Sequence, residues 1–340
     1  MRTFALSNDV LFLDHISPLA SLMGWPLIVT KEENAVLASK YYPEVDLLYW
    51  PDLEFRFKEL AEKCDALVGC HFWEPSIKYL FRAFYQKEMR LIFCPHGQSD
   101  KGYAAPSLSP YGRQEAVLLY GDLMKEMLIE MKIWDLIPAF AQVGNFRFSY
   151  YEKHRLRLDK AAEIEIFSHL ERSNRTLLYA PTWNDPDSST TFFECGEKLL
   201  RELPADWNLI IKLHPFILEK NPELFYRLSA IEEQRSNFLL VREFPAIYPI
   251  LERIDAYLGD YSSIGYDVLA FQKPMFFLRQ PYLPPARLHA CGRIIDFSAN
   301  LFQSIEQGLS QAEAFIPFQA ALYKKAFAQI EDIQKVINLL

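Results

Sequence analysis

Short apolar runs alternate with segments whose apolar residues recur three and four positions apart, and the alternation extends over most of the chain. The runs are TFALS, PLIVT, VDLLYW, DALVGCHF, RLIFCP, AVLLYG and FAQVG, then TLLYAPTW, WNLIIKLHP, FLLVRE, DAYLGDYSS and KPMFFL. Between them lie stretches such as FRFKELAEK and PSIKYLFRAFYQKEM. A short continuous apolar run is a strand buried on both faces, and the spacing between runs is that of an amphipathic helix. Strand followed by helix, repeated, leaves one economical solution: parallel sheets joined by right-handed crossovers. The expected class is α/β.

The chain has 340 residues, which is long for a single core, so two domains are expected. The pattern pauses at residues 148 to 175, where a charged helical stretch leads into a polar turn. This places a boundary near residue 150, with Rossmann-like domains over 1–150 and 151–340 and a cleft between them. Phe327, Ile330, Ile333, Ile337 and Leu340 recur at helical spacing and read as a packing helix that closes the second domain.

Aromatic residues make up 15% of the chain, which argues for a packed core. A net charge of −8 argues against a duplex nucleic-acid partner, and no basic run suggests a polybasic membrane anchor. The five cysteines, at 64, 70, 94, 195 and 291, form no Cys-x-x-Cys pair and read as free thiols. Acids interrupt the apolar stretch at the N-terminus, which makes a poor signal peptide, and no long uncharged run could span a bilayer. A cytoplasmic location is expected.

In open parallel sheets ligands bind beyond the carboxyl ends of the strands, so residues that end the apolar runs carry the functional signal. RLIFCP runs into His96 and Gly97. A glycine there lets the backbone turn sharply, which would project the imidazole from the strand tip as a base. A histidine that merely caps a turn fits as well. Lys101 follows in the same loop, as an anion contact or a solvated side chain. TLLYA ends in Pro181, Thr182 and Trp183: a hydroxyl, and a flat face that reads best as core packing. The DPD at 185–187 reads as a turn ahead of the next helix. Lys212 and His214 alternate with apolar neighbours at the end of WNLII, which makes a cationic edge. DAYLG ends in Asp260, Ser262 and Ser263 where a helix begins, a place where backbone N–H groups and the helix dipole favour an anion. Ordinary N-capping accounts for the same serines.

YAPTW, a basic-x-His-Pro at a strand end, DYSS…D…KP, and an HG loop, in this chain HGQSDKG, resemble the CDP-glycerol glycerophosphotransferases, the teichoic-acid primase and polymerase family. The resemblance covers roughly residues 91 to 300. It implies a GT-B-like fold and transfer of glycerol phosphate from CDP-glycerol to a hydroxyl of a lipid-linked glycan or polymer. It implies His96 as the base, His214 at the donor pyrophosphate, and Thr182, Ser262 and Ser263 on its oxygens. Lys212 and Asp260 join this donor set. Gly97, Lys101, Arg147 and Asp267 are further cleft candidates, Asp267 matching the acid after DYSS. Three features depart from the family: Gln98 stands where threonine is usual, Lys212 where arginine is usual, and GNFRFSY where Gly-x-Pro-Arg-x-Asp is usual, keeping Arg147 alone of its last three fixed positions.

The implied reaction is histidine-assisted, with no cofactor and no metal ligand set. Its partners are a CDP-linked donor and a hydroxyl-bearing glycan or polymer acceptor, with peripheral membrane contact through a lipid-linked acceptor and no nucleic acid. Two alternatives remain open: a GT-B glycosyltransferase using a nucleotide sugar, and a nucleotide-binding relative without catalysis.

Overall fold

The computed structural model describes residues 1–99 and 109–337; Lys101 lies outside them. Among the described residues the chain divides into two compact units, one holding 1–98, 109–154 and 325–337, the other Ser99 and 155–324.

The first unit is built on a seven-stranded sheet of order β3-β2-β1-β4-β5-β6-β7. Its strands are β1 Thr3–Ser7, β2 Leu27–Val29, β3 Leu47–Tyr49, β4 Ala66–Gly69, β5 Arg90–Phe93, β6 Ala116–Leu119 and β7 Ala139–Gln142. The second unit carries a six-stranded sheet of order β10-β9-β8-β11-β12-β13. It comprises β8 Arg175–Tyr179, β9 Trp207–Ile211, β10 Phe238–Leu240, β11 Ala256–Gly259, β12 Met275–Leu278 and β13 Arg293–Ile295. Every pairing is parallel. Both sheets are the α/β architecture that the alternation of runs implies, and each expected strand is present. β13, with only Arg293, Ile294 and Ile295, was too short and too polar to register as a run.

The central strands β1, β4, β6, β9, β11 and β12 are buried along their whole length, as a sheet covered on both faces requires. Leu177, Tyr179, Leu209, Ile211 and Leu258 form the centre of the second unit's core with Phe192 and Leu199 from the helix Phe192–Glu202. The helix Val10–Met23 follows β1, starts on the Asp9 cap and packs on the helix Phe146–Lys153 within the first unit.

The division falls between His154 and Arg155, close to the boundary expected near residue 150. The chain then returns to the first unit inside the helix Ile316–Ala326, so the tail expected to close the second domain packs on the first. The Phe327 ring meets Tyr120 edge-on at 5.8 Å and is 3% exposed. The Ala328 N–H donates to the Tyr120 carbonyl at 2.8 Å, and the helix Ile333–Ile337 packs on β7. Residues 327–332 are not helical and Leu340 lies outside the described residues, so only Ile333–Ile337 of the expected packing helix is seen; helical spacing shows neither that break nor which core receives the apolar residues. Phe327→Ala is expected to lower the unfolding free energy of the first unit by about 3 kcal/mol. Hydrogen exchange would locate the lost protection in β6 and β7; a loss confined to β8–β13 would contradict the docking.

Candidate active site

The second sheet reverses its winding between β8 and β11, and at such a point the loops diverge and leave room for a ligand. The two strand tips there carry Thr182 and the Asp260–Ser263 segment, so several sequence-predicted residues meet at one place. Asp260 organises them. Its side chain is fully buried, and its carboxylate accepts from the Thr182 N–H at 2.8 Å, the Thr191 N–H at 3.1 Å and the Ser262 N–H at 3.1 Å. The Thr191 hydroxyl adds a fourth bond at 3.3 Å, and the Tyr179 hydroxyl lies 3.0 Å behind it. His289 braces the Asp260 carbonyl through Nε2 at 3.1 Å and takes the Ala286 N–H on Nδ1 at 3.2 Å. Asp260 was expected among the donor contacts. The structure gives its oxygens to the protein instead, as the clamp that shapes the β8 and β11 loops. Burial, and then the Asp260 charge, push the phenols of Tyr179 and Tyr257 well up, so both stay neutral beneath the site. β11 ends in Gly259 for a steric reason: a Cβ there would stand 2.2 Å from the Tyr257 hydroxyl.

Around that clamp, Thr182 is 2% exposed and its Oγ1 has no partner among the described residues. A buried hydroxyl left in that state is costly, and one at a strand tip is poised to meet a ligand oxygen. Ser262 is buried, and Ser263 is partly exposed and makes no side-chain capping bond. The helix they precede, Ile264–Val268, is short, so its dipole is weaker than a full helix start would supply. Asp267 is buried on that helix and accepts from the Tyr248 hydroxyl at 2.7 Å, which makes it a structural acid.

β9 ends at Ile211, one residue before Lys212, and Pro215 opens the helix Pro215–Lys220 instead of merely stopping a strand. His214 is the N-cap of that helix. Its Nδ1 accepts the Phe216 N–H at 3.3 Å, which assigns the ring hydrogen of the neutral imidazole to Nε2. Trp183 stacks on the His214 ring at 5.9 Å and Phe216 tilts against it at 5.1 Å. Trp183 also packs on the core, so it joins the β8 tip to the β9 tip. The Lys212 ammonium donates to the Phe244 carbonyl at 2.8 Å, which ties it to the loop after β10.

In the first unit, His96 stands just beyond β5 and is exposed, and Gly97 adopts φ +113°, the turn that the sequence implied. The His96 ring packs against Phe12 at 5.3 Å and edge-on to His15 at 6.2 Å. Arg147 is buried; its Nε donates to the Asp14 carbonyl at 3.0 Å and its guanidinium pairs with the Asp14 carboxylate. Arg147 therefore fastens the helix Phe146–Lys153 to the helix Val10–Met23. Gln98 is buried, with its amide on the Met127 sulfur at 3.6 Å. Among the described residues no cluster of three or more His, Cys, Asp or Glu side chains is placed to hold a metal ion, and no helix is long and apolar enough to cross a membrane.

The sequence leaves His15, Tyr120 and His289 unread, and offers Thr191 only as a helix cap. His15 sat inside the apolar stretch weighed as a leader. Tyr120 ends AVLLYG, so the strand-end rule that found His96 covers it too. Thr191 is the N-cap of the helix Phe192–Glu202 and His289 lies on the short 3-10 helix Arg287–Cys291; each is far along the chain from Asp260, and nothing local marks it as that residue's partner.

Two parallel α/β units, the second with polar groups gathered at its switch point, define a GT-B-like protein. Residues 154–282, which contain that switch point, match the model of the CDP-glycerol:poly(glycerophosphate) glycerophosphotransferase family. The teichoic acid ribitol-phosphate polymerase TarL of Staphylococcus aureus is 26% identical over 180 residues, covering 47% of this chain and 31% of that protein. The teichoic acid glycerol-phosphate primase of Bacillus subtilis is 27% identical over 131 residues, covering 38% and 30%. The chain thus spans about a third of the length of the curated relatives it matches. Among solved structures, the wall teichoic acid polymerase TagF superposes with a TM-score of 0.63 at 12% identity, over 99% of this chain and 87% of that one. UDP-GlcNAc 2-epimerase from Neisseria meningitidis gives 0.63 at 14%, over 100% and 99%. These superpositions show the fold.

Asp260→Ala is expected to cost the second unit about 3 kcal/mol in urea unfolding, because three buried backbone donors lose their acceptor. Ser263→Ala should stay within about 0.5 kcal/mol of the parent. A stable Asp260→Ala chain would remove the clamp from this account.

Proposed function

We propose that this protein transfers a polyol phosphate, glycerol phosphate first among them, from a CDP-activated donor to an acceptor hydroxyl of a cell-envelope glycan or polymer. The acceptor oxygen forms a bond to the glycerol-bearing phosphorus, the bond from that phosphorus to the bridging oxygen breaks, and CMP leaves. The acceptor proton passes to the His96 imidazole, which stands exposed at the β5 tip. The second unit holds the donor. Thr182 Oγ1, Ser262 and Ser263 bind phosphate oxygens, and the His214 Nε2–H donates to the oxygen on which charge grows as CMP departs. Lys212 adds positive field from the β9 tip while held by the Phe244 carbonyl. Gly97 and Arg147 act indirectly, one by the turn that projects His96 and the other by fixing the helix Val10–Met23 beside it.

The observation that carries this reading is the capped, stacked His214 in the same switch-point region as the Thr182 hydroxyl, inside the stretch that matches the glycerophosphotransferase model. The curated relatives are named for glycerol phosphate and ribitol phosphate, so both polyols belong in the test. A lipid-linked acceptor would place the reaction at the inner face of a membrane; at a net charge of −8, attraction to anionic lipid is no part of the proposal.

The test is CMP release from CDP-glycerol and CDP-ribitol with lipid-linked glycan acceptors, run beside UDP- and GDP-sugars. His96→Ala should lower turnover by about 10²-fold or more while CDP-glycerol still shifts the melting temperature. His214→Ala should lower turnover comparably and weaken that shift. Nucleotide release from a UDP- or GDP-sugar alone would move the assignment to glycosyl transfer. Ligand-induced stabilisation without turnover of any donor would make the protein a binding module.

A further inference from the structure

The groups that surround His96 in the first unit form a set that the scheme above does not use. Tyr120 is buried at the end of β6, and its hydroxyl donates to the Pro95 carbonyl at 2.9 Å. Its hydrogen is therefore committed, and its oxygen faces His15 Nδ1 at 3.5 Å as an acceptor. That assigns the His15 ring hydrogen to Nδ1 and leaves the lone pair on Nε2. The distance is at the outer limit of a hydrogen bond, as is common in a site without substrate. The His15 ring stands edge-on to His96, with interplanar angle 77°. Pro95 is the residue from which His96 departs, so His15 touches the loop twice: ring to ring, and through Tyr120 to the backbone.

We propose that His15 is a positioning residue for His96, setting the direction of its imidazole by ring contact and by the Tyr120 bridge to the Pro95 carbonyl. This rests on the reading of His96 as the base. The titratable groups set against His15 are Arg147 from the helix Phe146–Lys153, His96 from the β5 tip and Tyr120 from the β6 end, with Asp14 on its own helix paired to Arg147. Burial first, then the Arg147 charge and then His96, hold the His15 pKa well below that of a free imidazole. The folded value is depressed, so His15 is neutral at neutral pH and stays so as the pH falls through the range where a free imidazole would charge. A neutral neighbour leaves His96 free to accept a proton without meeting a second cation at contact distance.

Turnover and ring-nitrogen NMR on the full chain test this together. His15→Leu removes the donor, His15→Asn keeps one near the Nδ1 position, and Tyr120→Phe removes the bridge. With CDP-glycerol and a lipid-linked glycan acceptor, His15→Leu should lower kcat about tenfold or more, with both KM values within about twofold. His15→Asn should recover most of the loss. Tyr120→Phe should lose part of what His15→Leu loses, because it cuts the bridge and leaves the ring contact, and the double variant should be no worse than His15→Leu. In NMR spectra of ring-labelled histidine, His15 should carry its hydrogen on Nδ1, and the His96 titration should move in His15→Leu. Wild-type kcat in His15→Leu, while His96→Ala is inactive, overturns the His15 assignment alone. Activity in His96→Ala overturns the reading beneath it. Unchanged His96 ring signals in His15→Leu overturn the proposal without any turnover. Should His15→Leu fail to fold, His15→Asn and Tyr120→Phe carry the same comparison, and a Tyr120→Phe chain with wild-type kcat overturns it.

Discussion

One buried carboxylate determines the shape of the second unit's ligand-facing end. Asp260 sits at the tip of β11 with no exposed surface, where a carboxylate requires donors, and four protein donors surround it. Those donors belong to three separate loop positions, Thr182, Thr191 and Ser262. Satisfying the charge therefore fixes the loops after β8 and β11 relative to each other. The hydroxyl of Thr182 and the backbone leading to Ser263 are in place before any ligand arrives. Preorganisation of this kind is what electrostatic stabilisation of a leaving phosphate needs, because no reorganisation is then required during the reaction.

The same clamp explains which parts of the site were legible. The strands announced themselves because burial on both faces demands uninterrupted apolar runs, and such runs are bounded by residues that no longer face the core. His96, Thr182, His214, Ser262 and Ser263 are picked out in this way, and each lies just beyond the end of a strand. What the rule does not separate is a polar group facing a ligand from one facing the protein. Asp260, Asp267 and Arg147 were all picked out as site candidates, and all three direct their charge at partners within their own unit. Lys212 was read as half of a cationic edge, and its ammonium lies on the Phe244 carbonyl. Telling these apart takes the partner's position, and Tyr248, Asp14 and Phe244 lie far along the sequence from the residues they engage. The tail was misassigned for the same reason: Phe327 declares a buried face, but the ring that receives it, Tyr120, is two hundred residues earlier.

Two of the three departures from the pattern of the family that the sequence resembles lie in the first unit. Gln98 replaces the usual threonine after His-Gly, and it is buried with its amide on a methionine sulfur. A longer side chain in that position points inward, so the change reads as a packing exchange behind the loop. GNFRFSY keeps Arg147, and the reason lies in the fold: its guanidinium pairs with Asp14 beside His15. Phe146 follows the Asn145 cap, whose side chain accepts the Phe148 N–H at 3.2 Å, and where proline is usual it sets an aromatic ring parallel to Tyr120. The altered residues thus remain coupled to the elements that hold His96.

His214 shows how a local folding rule orients an imidazole. An imidazole used as an N-cap must accept through Nδ1, and a neutral ring that accepts there has its hydrogen on Nε2. Such a ring donates through Nε2 without being charged. Trp183 and Phe216 hold the ring in place, which leaves it little freedom to rotate and present the other nitrogen. Pro215 contributes from the backbone, because proline at the first helical position fixes the chain direction where the cap forms. The His-Pro pair at the end of a buried strand is therefore a single device: the proline starts the helix, the helix start orients the imidazole, and the orientation makes it a hydrogen-bond donor.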